Sequence, residues 1–365
     1  MIKKQAALAS WDSNQCTPEI RLIRLCCRYA LGQMNTSDCR PYFTHLFDNL
    51  DEQRFLELLH EERVLLLVYQ VLTGDLKPHV PSNLMACLSQ KSKITLTRQL
   101  ALMVTQRDIE KAFQAEKISH VFLKGPSLNQ MLWGRRMMRY SGDLDLLILP
   151  KDIFRAHIIL KQLKFKTALS EKKLRFHQHL NKISTKKDAV YWHEDLSQCI
   201  ELHWKSGSTE FIFKPKDAWV HGIDDELHAL YLCLHAARHS WSRLIWLVDI
   251  IALIELKQLD IMQLRVLAKK RKITPVIDEM ILLAKQWLGI HLLPEKSLSK
   301  LKKRATFLDK RVVAAKKKNP EALLQRLLTH SFCSNYFYQM RLWAQIFLGV
   351  IIMRVINAVK AAHVS

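Results

Sequence analysis

Glycine and proline are scarce in this chain, with 9 and 10 residues among 365. Collagen-like, low-complexity and turn-rich all-β chains need more of both, so the shortage favours helix. Cysteine is present without organisation: eight residues at irregular spacing, four of them in the first 40, and no Cys-x-x-Cys pair. That argues against a disulfide frame or a cysteine zinc site and fits a reduced, cytoplasmic setting. Met1-Ile2-Lys3-Lys4-Gln5 leads into no apolar h-region, so a secretory signal is not expected. A long apolar run is lacking as well. Trp343 to Met353 is apolar apart from Gln345, between Arg341 and Arg354, but a spanning helix takes ~20 apolar residues. It reads as a buried helix, with an interfacial helix in peripheral membrane contact as the alternative.

Acidic residues are the other shortage, 34 against 56 basic, for a formal charge of +22. Such a surplus favours an anionic partner: nucleotide phosphates, nucleic acid, an acidic acceptor or a membrane surface. It is evident in Lys269-Lys270-Arg271-Lys272, Lys302-Lys303-Arg304 and Lys316-Lys317-Lys318, each of which also reads as a solvated helix face. Nucleic acid ranks lowest, because the aromatic residues sit in apolar helical runs rather than among exposed basic ones. Hydrophobic residues make up 49%, enough for a real core.

Along the chain the texture changes twice. Residues 1–117 read as a helical region, including one long helix from Ser82 to about Glu116 with Leu96, Leu100, Met103 and Ile109 spaced for one face. Residues 118–222 read as an α/β core: strands at 118–123, 143–149, 176–183, 188–193 and 198–204, a helix from Ser127, a loop from Arg135 to Gly142, and a helix from Asp152 to Leu163. The helical period returns in 223–365, through Leu227, Leu230, Tyr231 and Leu234, then Leu244, Leu247, Val248 and Ile251. The fold class is α+β, with a mixed sheet flanked by helical regions.

Three elements in the middle region carry chemistry. Asp143 and Asp145 alternate along a strand, so both carboxylates face one way while Leu144 and Leu146 enter the core. Adjacent carboxylates repel unless a cation neutralises them, and oxygen ligands suit Mg²⁺ or Mn²⁺. Alone, Asp-x-Asp is equally a solvent-facing pair at a strand end. Upstream lies Leu123-Lys124-Gly125-Pro126-Ser127, a strand-to-helix turn whose amides can meet phosphate; Ser127 can cap the helix or donate to phosphate, and Lys124 adds charge. Gly125, Gly134 and Gly142, three of the nine glycines, fall in this stretch. In Cys199-Ile200-Glu201-Leu202-His203-Trp204, Glu201 and His203 share a strand face and open on the same cleft.

His235 and His239 stand one helical turn apart, with His228 before them. They read as packing histidines, as cleft-lining groups, or least of all as a zinc pair, since the run lacks the glutamate of a zinc hydrolase. Asp249 is placed to bond one of these imidazoles or to cap a surface.

In their order and spacing, Val121-Phe122-Leu123-Lys124-Gly125, Arg139, Asp143-Leu144-Asp145-Leu146-Leu147, Ile200-Glu201-Leu202-His203-Trp204, Leu234-His235-Ala236-Ala237-Arg238-His239 and Trp246-Leu247-Val248-Asp249 resemble a bacterial nucleotidyltransferase family often labelled uncharacterised, within the polymerase-β-like superfamily. The resemblance covers roughly residues 50 to 260. Departures are Pro126, where the superfamily prefers a small residue, a long gap from Gly125 to Asp143, and Lys164 before Phe165, where the family tends to have glycine.

The resemblance implies a polymerase-β-like core and magnesium-dependent transfer of a nucleoside monophosphate, from ATP or another triphosphate, to a hydroxyl. The acceptor would be a small molecule, peptide, protein or glycan precursor. Asp143, Asp145 and Glu201 would hold metal, with Glu201 as third ligand or as base. Lys124, Gly125, Ser127 and Arg139 would hold the nucleotide phosphates, and His203, His235 and His239 would line the cleft. The same fold without turnover, acting as a binding or regulatory protein, is the alternative.

Overall fold

The computed structural model describes residues 16–179, 188–193, 195–204 and 223–299. Trp343 to Met353 and the lysine runs at 302–304 and 316–318 lie outside these residues.

Helices open and close the described chain and fold together. Four short ones come first: α1 (Pro18–Ala30), α2 (Thr36–Asp48), α3 (Glu52–Glu61) and α4 (Leu65–Thr73). Their ends carry the expected chemistry. Proline stands in the first turn of α1, Asn35 and Asp38 form a capping box on α2, and the Asp51 side chain accepts from Arg54 N on α3. The last helices are α9 (Asp225–Arg238), α10 (Leu244–Leu256), α11 (Ile261–Lys270), α12 (Thr274–Leu288) and α13 (Glu295–Ser299). One apolar core runs through both sets, joining Leu22, Phe55 and Leu67 to Leu234, Ile250 and Ile277. Arg28 closes the join, donating to the carbonyl of Leu288 at 3.1 Å.

Between the two sets runs α5 (Ser82–Ala115), a helix of 34 residues, about 50 Å long at the α-helical rise. Its N-terminal Leu84 and Leu88 belong to the helical core, whereas Leu102, Ile109 and Phe113 belong to a second core under the sheet. The buried stripe differs from the expected one at Leu100, which is 56% exposed.

The sheet has the order β1-β2-β5-β4-β3. Its strands are β1 (His120–Phe122), β2 (Asp143–Ile148), β3 (Phe165–Thr167), β4 (Asp188–His193) and β5 (Gln198–His203). β2 and β5 are parallel and the other pairings antiparallel, so the sheet is mixed as expected. Alternation sends Leu144, Leu146 and Ile148 of β2, with Ile200 and Leu202 of β5, into the second core. There they meet α7 (Ile153–Gln162) through Ile153, Ala156, Ile159 and Leu160. The opposite face of β2 presents Asp143, Asp145 and, further along, Leu147, which packs into the helical core.

Two expectations need correction. The strand expected from 176 overlaps a helix, α8 (Glu171–His179). Leu174 is its buried residue, Arg175 lies 3.4 Å over the Phe154 ring, and Gln178 accepts from Phe154 N at 2.9 Å. It is held by polar and ring contacts with α7, which leave little apolar period to read. β3 was unforeseen, and three residues are too few to carry an alternation signal. The turn before it places Lys164 at φ +64, a left-handed conformation that glycine adopts without strain and lysine does not.

Candidate active site

The site begins with a register. Asp145 pairs directly with Glu201 across parallel β2 and β5, and Asp143 with Cys199. Residues two apart on either strand share a face, so Asp143, Asp145, Glu201 and His203 all look away from the sheet core. His203 Nε2 lies 3.5 Å from Asp145 Oδ1 and 3.4 Å from Glu201 Oε2. Asp145, Glu201 and His203 each offer a ligand atom within 4.8 Å of the others. Among the described residues no other such group occurs, so neither His235 nor His239 belongs to one.

Lys124 reaches the same carboxylate. The ladder continues one residue past β1, with Leu123 N donating to Asp145 O at 2.9 Å. Lys124 then stands beside Asp145, its Nζ 2.9 Å from Oδ1, with both side chains buried. Its neighbour Gly125 has φ +82, and a Cβ there would point at Asp143 O from 3.5 Å. That distance is ordinary contact, so it is the positive φ, which glycine adopts without strain, that calls for glycine in this turn. Gly125 is also the N-cap of α6 (Pro126–Trp133). Ser127 is therefore inside the helix rather than its cap, because proline takes the first helical position. Ser127 lines a separate cavity with Leu100, Val104, Gln130 and Met131.

Charges in the cluster set one another. Burial would raise the pKa of Asp145, but the Lys124 ammonium and His203 outweigh it and hold the carboxyl well below its usual range. Asp143 is pushed up, first by burial and then by the charge on Asp145. Glu201 is pulled down chiefly by His203. Burial opposes a charged His203, yet Asp145 and Glu201 raise it above an ordinary imidazole. The cluster thus draws positive charge from Lys124 and His203, while buried Asp145 Oδ2 keeps no hydrogen-bond partner. Asp145, Glu201 and His203 could therefore hold a metal ion, and the open Oδ2 of Asp145 is an oxygen donor left for it.

The Arg135-to-Gly142 loop is fastened by two side chains that sequence reasoning missed. Asn129 of α6 accepts from Met138 N at 3.1 Å and Arg139 N at 3.0 Å, and donates to Arg136 O at 3.0 Å. Gln99 of α5 accepts from Ser141 N at 3.0 Å and donates to Ser141 O at 2.6 Å. Both are buried amides, and a buried amide in an otherwise amphipathic helix is the signal that would have found them. Arg139 is buried too, its Nε 2.8 Å from Asp249 Oδ2 on α10, with a further bond to Ser141 Oγ. Asp249 therefore pairs with this arginine and not with a cleft imidazole or a surface cap, because α10 turns it inward at 1% exposure.

The cleft that results is a polar cavity of about 260 Å³. Lys124, Gly125, Arg139, Asp143, Asp145 and Glu201 line it, and His235, His239 and Trp246 close its helical side. The His235 and His239 rings are 4.8 Å apart and both pack on Trp246. Lys124 Nζ is 3.3 Å from His235 Nε2, and burial together with that ammonium holds His235 well below its ordinary value, so it stays neutral. Arg63 and Arg243 complete the rim, and neither was singled out in the sequence. Of the expected site residues, all but Ser127 surround this cavity or, as with His203, touch its carboxylates.

No curated protein and no solved structure matches the chain. A family described as uncharacterised nucleotidyltransferase matches residues 48–289. That span takes in the rim arginines, the glycine turn, the loop and both carboxylate strands, and it establishes that the chain belongs to this nucleotidyltransferase family.

Proposed function

We propose that the protein transfers a nucleoside monophosphate from a nucleoside triphosphate to a hydroxyl acceptor, with Mg²⁺ or Mn²⁺ held by Asp143, Asp145 and Glu201. The observation that carries this reading is the pairing of Asp145 with Glu201 across parallel strands, at the floor of a polar, cationic cleft. A bound divalent cation would lower the proton affinity of the acceptor hydroxyl and offset charge on the triphosphate. The acceptor oxygen forms the new bond to the α-phosphorus. The bond from that phosphorus to the β-bridging oxygen breaks, its electron pair leaves on pyrophosphate, and the hydroxyl proton passes to water. Lys124 and Arg139 add positive potential to the cleft, Gly125 lets the backbone approach, and His203, His235 and His239 shape its walls.

One observation favours the reading without turnover. Lys124 Nζ, 2.9 Å from Asp145 Oδ1, would on that reading be the carboxylate's lasting partner. Calorimetric titration with ATP, GTP, CTP and UTP, in Mg²⁺ and in EDTA, separates the two. Metal-dependent binding lost in Asp143→Asn/Asp145→Asn supports the transferase. A folded wild-type protein that binds none of the four overturns it in favour of the binding module. The acceptor is then sought by pyrophosphate release.

A further inference from the structure

Most of the side chains expected to meet phosphate are engaged elsewhere. Lys124 is bound to Asp145, Arg139 to Asp249, and Ser127 lines another cavity. The cleft nevertheless carries two more guanidinium groups. Arg63, in the turn after α3, lies with Cζ 4.6 Å from the centre of the Tyr140 ring. Arg243, the N-cap of α10, lies 5.0 Å from the centre of Trp246. Neither pairs with a carboxylate among the described residues. A guanidinium resting on a ring keeps its edge N–H groups available for an oxyanion.

The backbone holds these two arginines in place. Glu62 is buried, and its carboxylate accepts from Leu244 N at 2.8 Å while its carbonyl accepts from Ile245 N at 3.2 Å. The residues next to these bonds are Arg63 and Arg243. Arg63 also adopts φ +59 to close α3, so its side chain leaves the helix towards the cleft. Arg243 is weakened as a cation by burial first and by Arg63 next, with Asp143 offsetting in part. Like charges fixed this way, across from a metal-binding carboxylate cluster, are relieved by an anion that touches both.

We propose that Arg63 and Arg243 form the subsite for the β- and γ-phosphates of the nucleoside triphosphate. The inference rests on the nucleotide-transfer reading of the same cleft and names the groups that would hold its pyrophosphate leaving group. Sequence spacing does not point to them, because they come from opposite helical regions and meet through Glu62.

The test is calorimetry with Mg²⁺ on wild type, Arg63→Gln and Arg243→Gln. The probes are the four nucleoside triphosphates, their monophosphates and inorganic tripolyphosphate. In wild type the triphosphate should bind more tightly than its monophosphate. Each variant should weaken triphosphate and tripolyphosphate binding by roughly tenfold or more, as expected for a lost charge-assisted contact, and leave monophosphate binding unchanged. Arg→Lys at either position should restore part of the loss, since charge returns without the planar fork. Equal losses for mono- and triphosphate, or unchanged triphosphate affinity in both variants, would overturn the subsite. Tripolyphosphate keeps this test apart from the nucleotide reading. If no nucleoside triphosphate binds wild type but tripolyphosphate does and the variants lose it, the anion subsite stands and the nucleotide reading falls. If tripolyphosphate and all four triphosphates fail on wild type, both fall.

Discussion

Lys124 and Asp145 form a buried ion pair, 2.9 Å from Nζ to Oδ1, at the point where a cation-binding carboxylate is expected. On the proposed reading the lysine would neutralise Asp145 in the metal's absence and compete with the metal otherwise. Removing one partner of a buried pair leaves the other charge uncompensated, at a cost of about 3–5 kcal/mol. Lys124→Met should show that loss in urea unfolding with EDTA. In excess Mg²⁺ much of the loss should return, because a cation that binds the folded state stabilises it. An identical deficit with and without Mg²⁺ would mean that Asp145 takes no metal.

Asn129 fixes the loop that delivers Arg139 and Tyr140. Asn129→Ala would strand the Met138 and Arg139 amides and the Arg136 carbonyl. The expected cost is about 2–3 kcal/mol of stability. Nucleoside triphosphate affinity should fall as well, since the loop forms one wall of the cleft. Stability lost with affinity intact would show that the wall holds without this amide.

A histidine away from the cleft gives a pH signature. Burial lowers His157 below an ordinary imidazole, with Glu171 offsetting only in part, and its Nδ1 is 3.1 Å from the Tyr191 hydroxyl. As pH falls through about 6.5, the unfolded chain takes up the proton first. This group's contribution is therefore flat above that value and destabilising below it. Between pH 7 and pH 5, roughly the range in which imidazoles titrate, stability should fall less steeply in His157→Gln than in wild type. Equal slopes in chemical denaturation would remove His157 from the account.

Lys164 occupies a left-handed turn at φ +64, exposed to solvent. Lys164→Gly relieves backbone strain and removes no buried contact. The gain should be about 0.5–1 kcal/mol, set by that relief less the extra freedom of glycine in the unfolded chain. A lower unfolding midpoint would show that the lysine side chain contributes more than the turn costs.

β2 and β5 were legible because Asp-Leu-Asp-Leu and Cys-Ile-Glu-Leu-His each alternate two chemistries with strand period, and the faces sorted accordingly. Gly125 was legible for a related reason, as a glycine between a strand and a helix in a chain with few. α8 was not, because it is held by ring and amide contacts with α7 that leave one buried leucine. Local sequence also says nothing about where a long side chain finds its partner. Lys124 and Arg139 were read as phosphate ligands, yet each meets a buried carboxylate within the protein. Arg63 and Arg243 carried no sequence signal, because the bond from Leu244 N to Glu62 that joins their turns spans 182 positions.

The long helix α5 feeds one core at its start and the other at its end, and its Gln99 grips the cleft loop between them. Sheet and helical body are thus threaded on a single rod. A fragment cut to residues 118–222 would keep the carboxylates but lose Arg63, Gln99, Trp246 and Asp249, and it would bare the Leu147 side of the sheet. Such a fragment should neither stay soluble nor recognise a nucleotide, so the smallest working unit has to include the helices on both sides.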